Sequence, residues 1–167
     1  MSRYRLGVLL YFRSVEDQLL LIKRKRAPNV GLWCAVGGKL EMETGESPAE
    51  CARREAFEEI GIELEDSDLL LRAMLSEKDY EGTGHWLMFV YEIKKRLSSI
   101  PSSIDEGRFK FFDIEDLKEL EMPWLDKLIL MDKLLDPGGE EFHAIRVSCQ
   151  KANDEGAVFV EESIGAR

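Results

Sequence analysis

The sequence predicts a domain of mixed α/β class, of the α+β kind, in which strands outnumber helices. Short runs rich in Leu, Val, Ile, Tyr and Phe recur along the chain and alternate with polar turns, which is typical of strands. A segment that begins at Ser47 carries strong helix signals. Two more strand-like runs flank a polar turn near the C-terminus. We therefore expect a sheet accompanied by few helices and extended by a terminal β-hairpin.

The first part of the chain predicts three strands. Residues 4–12 and 19–22 are apolar runs, and the second of them ends in the basic run 23–26. Pro, Asn and Gly within residues 28–31 indicate a loop. A shorter strand is expected at residues 32–36, so the three strands precede the helix.

The next element is predicted to be a helix, and the sequence contains residues typical of both its first and its last turn. Ser47 is expected at the N-cap, Pro48 at the first helical position, and Glu50 completes a capping box with Ser47. Gly61 has the residue type that ends a helix in the left-handed conformation. Residues at helical spacing are predicted to face the core: Ala49, Ala52, Ala56 and Ile60.

The rest of the chain predicts three strands, two helical segments and a hairpin. The strands are expected at residues 69–75, 85–93 and 108–112, a helical turn at 114–120, an amphipathic helix at 123–135, and the hairpin at 142–148 and 157–161. An Asp-Pro-Gly-Gly sequence breaks the chain after residue 135. We therefore divide it into a main domain, residues 1–137, and an extension, residues 138–167, that packs on the same domain.

Composition and charge narrow the range of functions. The 167 residues are 44% apolar and carry a net charge of −10, which argues against binding a nucleic-acid polymer. A small phosphorylated ligand is compatible with this charge, because a divalent cation can bridge carboxylates to phosphate. Three separate cysteines without a CxxC pair indicate reduced thiols. With no signal peptide or membrane span in the sequence, we expect a cytoplasmic protein.

Three glutamates crowd one face of the predicted helix. Glu55, Glu58 and Glu59 fall within about one turn, where like charges destabilise a helix by a few tenths of a kcal/mol per pair. A hard cation such as Mg²⁺ or Mn²⁺ relieves this repulsion, and the backbone carbonyl at Gly37-Gly38 could add an oxygen ligand. Taken singly, these features are also compatible with a solvated helix face and a plain turn.

Residues 38–62 as a whole resemble the signature of the Nudix hydrolases, G-x5-E-x7-R-E-U-x-E-E-x-G-U, where U is an apolar residue. From Glu46 to Ile62 the agreement is complete, with Arg54-Glu55 and Glu58-Glu59 in register. The chain departs from the pattern between Gly38 and Glu46, which are separated by seven residues instead of five. Two added residues, such as Glu43-Thr44, would account for this, and we interpret them as a bulge in the loop.

The resemblance implies a fold and a metal site. The fold is an α/β/α sandwich around a mixed sheet, and the reaction is attack of water on a phosphorus with Mg²⁺ or Mn²⁺ as cofactor. Candidate metal ligands are Glu55, Glu58, Glu59 and the Gly38 carbonyl, and the catalytic candidates are these glutamates with Arg54 and Glu106. Glu46 and Arg54 would support the loop and helix through a carboxylate contact. Glu106, in an E-G-x-x-x-F pattern, would bind a second metal or act as general base, or is a plain acidic loop residue.

Further similarities to MutT-type enzymes suggest substrate-binding residues. The candidates are Arg24 in the basic run, Lys39 after the glycine pair, Trp33, Trp124 and Asp126. A tryptophan can stack on a purine, and an aspartate can accept hydrogen bonds from its edge. The alternatives are that Trp33 belongs to the core, that Trp124 anchors an amphipathic helix, and that the basic run only ends an exposed strand.

The resemblance implies a pyrophosphohydrolase that acts on a small nucleotide. The best match is an oxidised purine deoxynucleoside triphosphate, cleaved to the monophosphate and pyrophosphate. Hydrolysis of ADP-ribose or of a dinucleoside polyphosphate is the alternative, and Tyr80 lies where the latter enzymes often carry a tyrosine. A non-catalytic Nudix regulator is the alternative of another class, although such proteins commonly lose glutamates that are present here. No nucleic-acid polymer or membrane partner is expected, and the protein would be a monomer or homodimer.

Overall fold

The computed structural model describes residues 4–80, 84–130, 134–135, 142–149 and 158–162. The strands in this part of the chain are β1 Tyr4–Tyr11, β2 Leu19–Arg24, β3 Trp33–Cys34, β4 Leu69–Lys78, β5 His85–Ile93, β6 Gly107–Phe112, β7 His143–Ser148 and β8 Val158–Glu162. The helices are α1 Pro48–Ile60 and α2 Trp124–Ile129, with 3₁₀ helices at Asp66–Asp68 and Ile114–Glu119. Among these residues no helix is long and apolar enough to cross a membrane.

The strands form two sheets. A five-stranded sheet has the order β1-β5-β4-β7-β8, in which β1 pairs in parallel with β5 and β4 in parallel with β7, while the other pairs are antiparallel. A three-stranded antiparallel sheet has the order β3-β2-β6. The two sheets meet where the segment after β3 bridges to β1, at Leu10↔Val36 and Gly7↔Lys39. The mixed sheet expected from the sequence is therefore confirmed.

Alternate residues of the strands enter two separate cores, because successive side chains of a strand point to opposite faces. Val8 and Leu10 of β1 pack with Ala52 and Ala56 of α1, whereas Tyr11 packs in the other core. The second core also contains Ala73 and Leu75 of β4, Val90 of β5, and Leu125 and Leu130 from the region of α2. Helices thus cover the sheets from both sides, which confirms the α/β/α sandwich.

Helix α1 has the ends predicted from its sequence. The Ser47 hydroxyl accepts a hydrogen bond from the Glu50 N–H at 3.3 Å, and the Glu50 carboxylate accepts one from the Ser47 N–H at 2.8 Å. Gly61 has φ +71°, and its N–H bonds back to the Phe57 carbonyl. The core face is as expected except that Ala49 is only half-buried and Cys51 and Glu55 are buried as well.

Several elements differ from the prediction in length: β2 is two residues longer and β3 three residues shorter than predicted, and β4 and α2 differ as well. Strand β4 continues to Lys78, three residues beyond the predicted end, because residues 76 and 77 pair with β5 on one side and residues 76–78 pair with β7 on the other. Tertiary pairing overrides the weak strand propensity of these polar residues. The helix predicted for residues 123–135 is described as α2 over Trp124–Ile129, and part of the remainder lies outside the described residues. The terminal hairpin is confirmed as β7 and β8, although its turn also lies outside them.

Candidate active site

The acidic face of α1 lies directly against the backbone of the glycine pair. A Cβ atom placed on Gly38 would be 2.0 Å from Oε1 of Glu55, and one placed on Gly37 would be 2.1 Å from the Val8 carbonyl oxygen. The Gly38 carbonyl accepts a hydrogen bond from the Val8 N–H at 2.9 Å, which fixes it beside β1. At Gly37 a side chain would collide with the backbone of β1, whereas at Gly38 it would displace the Glu55 carboxylate, so the absence of a side chain at Gly38 lets this carboxylate lie against the backbone.

Arg54 connects the helix to the loop that precedes it. Its guanidinium donates two hydrogen bonds to the Glu46 carboxylate, at 2.8 and 3.0 Å, and one to the Lys39 carbonyl at 3.0 Å. It also donates to Glu55 at 2.7 Å and to Glu58 at 3.1 Å. The carboxylate contact expected of Arg54 is thus the two-point contact with Glu46, which lowers the pKa of the Glu46 carboxyl.

The two added residues are accommodated in an exposed turn at residues 41–45. The Glu41 carbonyl accepts hydrogen bonds from the Thr44 hydroxyl at 2.8 Å and from the Glu46 N–H at 3.3 Å, while Gly45 takes φ +73°. The Glu41 N–H in turn donates to the Glu46 carboxylate at 2.7 Å. The turn therefore closes on itself before Glu46, and Gly38 keeps its contact with Glu55. This is the bulge expected from the sequence.

Carboxylates from α1 and from the loop before β6 converge beside the glycine pair. Burial raises the pKa of Glu55 and raises that of Glu59 to about 7, and the negative charge of Glu106 contributes to both shifts. Oε2 of Glu59 is buried without a hydrogen-bond partner among the described residues. Glu58 is half-exposed and is paired with Arg54. These oxygen donors suit a hard divalent cation.

The acidic side chains lie near one another but do not form a complete coordination shell. In the part of the chain that the structure describes, no three His, Cys, Asp or Glu side chains have converged tightly enough to hold a metal ion. Arg54 donates a hydrogen bond to one oxygen of Glu55 and one to an oxygen of Glu58. The carboxylate oxygens of this group fit a hard divalent cation in their chemistry.

A cavity of about 560 Å³ starts at this acidic group and runs between the two sheets. Its near end is lined by Gly38, Glu55, Glu59 and Glu106, among others. Its far end is lined by groups from four different segments, namely Asn29, Cys34, Glu77, Tyr80 and Asp126. The volume lies within the range of about 300–1,000 Å³ that is usual for small-molecule sites.

The pKa values of two carboxyl groups at the far end are strongly raised. Burial, with a contribution from the charge of Asp126, raises the pKa of Glu77 to about 8. Burial raises the pKa of Asp126 to about 7. The Cys34 thiol nearby has its pKa raised to about 12, again mainly by burial, so it remains a neutral thiol. The far end is therefore a sheltered environment in which charge is costly.

The structure separates the predicted substrate-binding residues into two groups. Arg24, Lys39 and Asp126 line the cavity, and Arg24 lies 3.8 Å from Glu106. Trp33 is only 7% exposed and packs edge-on against Phe112, with ring centroids 4.7 Å apart, so it belongs to the core. Trp124 is 40% exposed and does not line the cavity in the described structure. Trp33 thus occupies the core position given above as its alternative, whereas Trp124 lies at the exposed start of α2.

Sequence reasoning missed Glu77 and Asn29. A signal was present for Glu77, because it follows Ala73 and Leu75 at a spacing of two and so falls on their inward face. A charged residue at an inward strand position indicates either a buried pair or a site. Asn29 lay in a predicted loop, and nothing in the sequence indicated that Tyr80 would donate a hydrogen bond to its Oδ1 at 2.8 Å.

Comparison with known proteins gives consistent matches. The model of the NUDIX domain family matches residues 3–132. The Nudix hydrolase YvcI of Bacillus subtilis is 30% identical over 111 residues, covering 65% of this chain and 66% of that protein. An ADP-ribose pyrophosphatase of Methanocaldococcus jannaschii is 30% identical over 105 residues, covering 63% of this chain and 60% of that protein. The matches span less than two thirds of the length of either relative.

Solved structures agree on the fold. A MutT protein from Bacillus halodurans superposes with a TM-score of 0.73 at 23% identity, covering 93% of this chain and 97% of that one. At this level of identity the similarity establishes the architecture alone. It extends beyond the residues matched by the family model, into the region of the C-terminal hairpin.

Proposed function

The chain belongs to the NUDIX domain family, and from this premise we propose that it is a metal-dependent pyrophosphohydrolase that cleaves a nucleoside triphosphate to the monophosphate and pyrophosphate. The best substrate we propose is an oxidised purine deoxynucleoside triphosphate. The observation that carries the proposal is a continuous cavity that joins the acidic face of α1 to a sheltered far end lined by hydrogen-bonding groups. A nucleotide has the same two parts, a phosphate chain that needs a cation and a base that needs specific hydrogen bonds.

The near end would hold the cation and the phosphates. Glu55, Glu58, Glu59 and Glu106, with the Gly38 carbonyl, supply oxygen ligands for Mg²⁺ or Mn²⁺. The bound ion would neutralise phosphate charge and lower the pKa of a water molecule. Arg24 and Lys39 line the same part of the cavity and would bind phosphate oxygens.

Arg54 and Glu46 act through the residues around them. Their two-point contact holds the loop after Gly38 against α1, so that the Glu55 carboxylate and the glycine backbone stay together. Precise placement of the reacting groups is a large part of catalysis, and misplacement by about 1 Å can cost 10²-fold in rate. Arg54 is therefore proposed as a positioning residue.

ADP-ribose hydrolysis is the second candidate, supported by the relative from Methanocaldococcus jannaschii. ADP-ribose also presents a purine and a diphosphate, and it would use the same metal ligands. It differs in carrying a second ribose instead of terminal phosphates, so the two candidates differ at the phosphate end of the cavity.

A substrate panel with Mg²⁺ or Mn²⁺ tests the proposal. The panel contains the four deoxynucleoside triphosphates, 8-oxo-dGTP, ADP-ribose and diadenosine polyphosphates, with separate detection of pyrophosphate and orthophosphate. We expect the highest kcat/KM for a purine triphosphate, with pyrophosphate as product. The double variant Glu58→Gln, Glu59→Gln serves as the control for contaminating phosphatases. Turnover of ADP-ribose alone would replace the first candidate by the second, and turnover of none would contradict both.

A further inference from the structure

The indole ring of Trp86 carries two cationic side chains at one wall of the cavity. Trp86 belongs to β5 and lines the cavity together with Lys39. The Lys39 ammonium lies 5.7 Å from the centroid of the Trp86 ring, and the guanidinium carbon of Arg5 lies 5.4 Å from it. Both distances are within about 6 Å, the range in which an aromatic ring attracts a cation. We call these three side chains the cation–indole unit.

The backbone fixes the members of the unit relative to one another. Arg5 and Trp86 are direct partners in the parallel pairing of β1 with β5, so their side chains leave the sheet on the same face. Lys39 bridges to Gly7 of β1, and its carbonyl accepts a hydrogen bond from Arg54 at 3.0 Å. The Lys39 side chain therefore starts from an anchored backbone, and its charged end lies on the indole ring.

The charges of the unit have no protein partner in the described part of the chain. Of the three cations that line the cavity there, Arg54 donates to several carboxylates and Arg24 donates to the Pro28 carbonyl at 2.8 Å. The side chains of Lys39 and Arg5 have no hydrogen bond or ion pair among these residues, although the whole chain carries a net charge of −10. Two like charges on one ring repel each other, and an anion bound between them would remove this repulsion.

A structural role alone explains Trp86 poorly. Its indole Nε1 is buried and has no hydrogen-bond partner among the described residues. A buried donor without a partner destabilises the fold, and phenylalanine would fill the same wall without that donor. Tryptophan, however, is the aromatic residue that attracts cations most strongly. The residue type therefore favours cation binding over packing.

We propose that Trp86 is a positioning residue that holds Lys39, with Arg5 on the same ring, to bind the terminal phosphates of the substrate. This inference rests on the proposed function and concerns the end of the phosphate chain farthest from the nucleoside. Lys39 follows Gly38 and lines the cavity, whereas the exposed Arg5 lies outside its lining. The unit thus extends from the carboxylates of the metal site toward solvent, as does a phosphate chain that continues past the metal.

The ring improves phosphate binding by ordering the lysine in advance. A lysine that already lies on the indole loses less rotamer freedom when it binds phosphate. A cation–aromatic contact at an exposed site changes an equilibrium by about two- to fivefold. Loss of the ring should therefore weaken binding moderately, and only for ligands long enough to reach the unit.

The test follows binding against phosphate number in wild type, Trp86→Leu, Trp86→Phe and Arg5→Gln. The matched control is Arg108→Gln, because the exposed Arg108 also lies on a tryptophan ring, that of Trp33, at 5.9 Å, but outside the cavity lining. Calorimetry with Mg²⁺ uses the monophosphates of deoxyadenosine and deoxyguanosine and the α,β-methylene analogues of their di- and triphosphates, which resist the proposed cleavage. Steady-state kinetics with the triphosphates and thermal unfolding are measured on the same variants.

The expected losses increase with the number of phosphates. Trp86→Leu should weaken binding of the triphosphate analogues by about fivefold or more and of the monophosphates by less than about twofold, with the kinetic loss mainly in KM. Arg5→Gln should show the same dependence with a loss of about two- to fivefold, and because Arg5 is exposed this variant serves even where Trp86→Leu does not fold. Trp86→Phe, which keeps an aromatic ring, and Arg108→Gln should both stay within about twofold of wild type.

A double-mutant cycle with Lys39→Met separates positioning from packing. If Trp86 acts through Lys39, Trp86→Leu should weaken binding of the triphosphate analogues less in the Lys39→Met background than in wild type. A loss of packing alone would have the same size in both backgrounds.

Three results would overturn the inference. They are an equal loss for mono-, di- and triphosphate ligands in Trp86→Leu, the same loss for the triphosphate analogues in both backgrounds of the cycle, and an Arg5→Gln variant that behaves as Arg108→Gln does. Failure of the proposed function is distinguishable from these. If wild type binds the analogues with the expected dependence on Trp86 but hydrolyses no triphosphate, the hydrolase proposal fails and the phosphate-binding unit stands.

Discussion

Replacing Gly38 by alanine tests whether the glycine pair positions the catalytic carboxylate. The added Cβ would lie 2.0 Å from Oε1 and 2.6 Å from Oε2 of Glu55. Favourable contacts between heavy atoms lie at about 3.5–4.0 Å, so the carboxylate must retreat by more than about 1 Å. The atoms displaced are the far end of a side chain, which can rotate. We therefore expect a small loss of stability, near the lower end of the 1–3 kcal/mol that is typical of overpacking, and about a 10²-fold loss of kcat.

The matched control is Gly61→Ala at the end of α1. Gly61 has φ +71° and open space where a Cβ would sit, so alanine there is strained by about 1–2 kcal/mol without displacing any site residue. Urea unfolding and steady-state kinetics with a purine triphosphate and Mg²⁺ are measured on both variants. Gly38→Ala should lower kcat strongly and the free energy of unfolding only slightly. Gly61→Ala should lower the free energy of unfolding and have little effect on kcat. Full activity in Gly38→Ala at unchanged stability would refute the role assigned to this contact.

Three further predictions concern the loop and the acidic face. Glu46→Gln should lower the free energy of unfolding at pH 7 by about 1–3 kcal/mol, since one member of a charged hydrogen-bonded pair is lost. Contact with Arg54 lowers the pKa of Glu46 in the folded protein. The difference in unfolding free energy between wild type and variant is therefore fully present above the unfolded pKa of about 4.3, and it disappears as the pH falls through the folded pKa. A difference that does not change with pH would contradict the pairing. Deletion of Glu43-Thr44 shortens an exposed turn and should leave kcat/KM within about threefold, whereas loss of activity without unfolding would show that the turn has a specific function. Glu59→Gln should abolish turnover with little change in Tm, and a large drop in Tm would indicate a structural role instead.

The features that were predictable from sequence depend on short-range signals. The ends of α1 follow from Ser47, Pro48, Glu50 and Gly61, all of which act on the backbone within one helical turn. The crowding of Glu55 with its neighbours was likewise visible, because helical spacing places them on one face. The strands were predictable where apolar residues were continuous, as in β1 and β5.

What could not be predicted depends on contacts between distant parts of the chain. The end of β4 is a strand because β7, some seventy residues later, pairs with it, as in Ser76↔Arg146. The far end of the cavity brings Asn29, Glu77 and Asp126 together from three segments with no common motif. Neither the pairing partner of a strand nor the meeting of a loop, a strand and a helix is encoded in local spacing. The Nudix signature therefore indicated the metal end, and the similarity to MutT-type enzymes indicated Asp126 at the other end, whereas the presence of Glu77 and Asn29 there followed only from the fold.

The pairing of β7 with β4 has a consequence for where this protein can be divided. The family match ends at residue 132, yet the hydrogen-bonding edge of β4 is completed by residues 143–148. A chain cut at the family boundary would turn β4 from an interior strand into an exposed edge, open to pairing with other molecules. The same cut would remove one lateral support from the strand that carries Glu77. The hydrogen-bonded sheet thus extends beyond the boundary of the family match, and we propose that the C-terminal hairpin is part of the same folding unit.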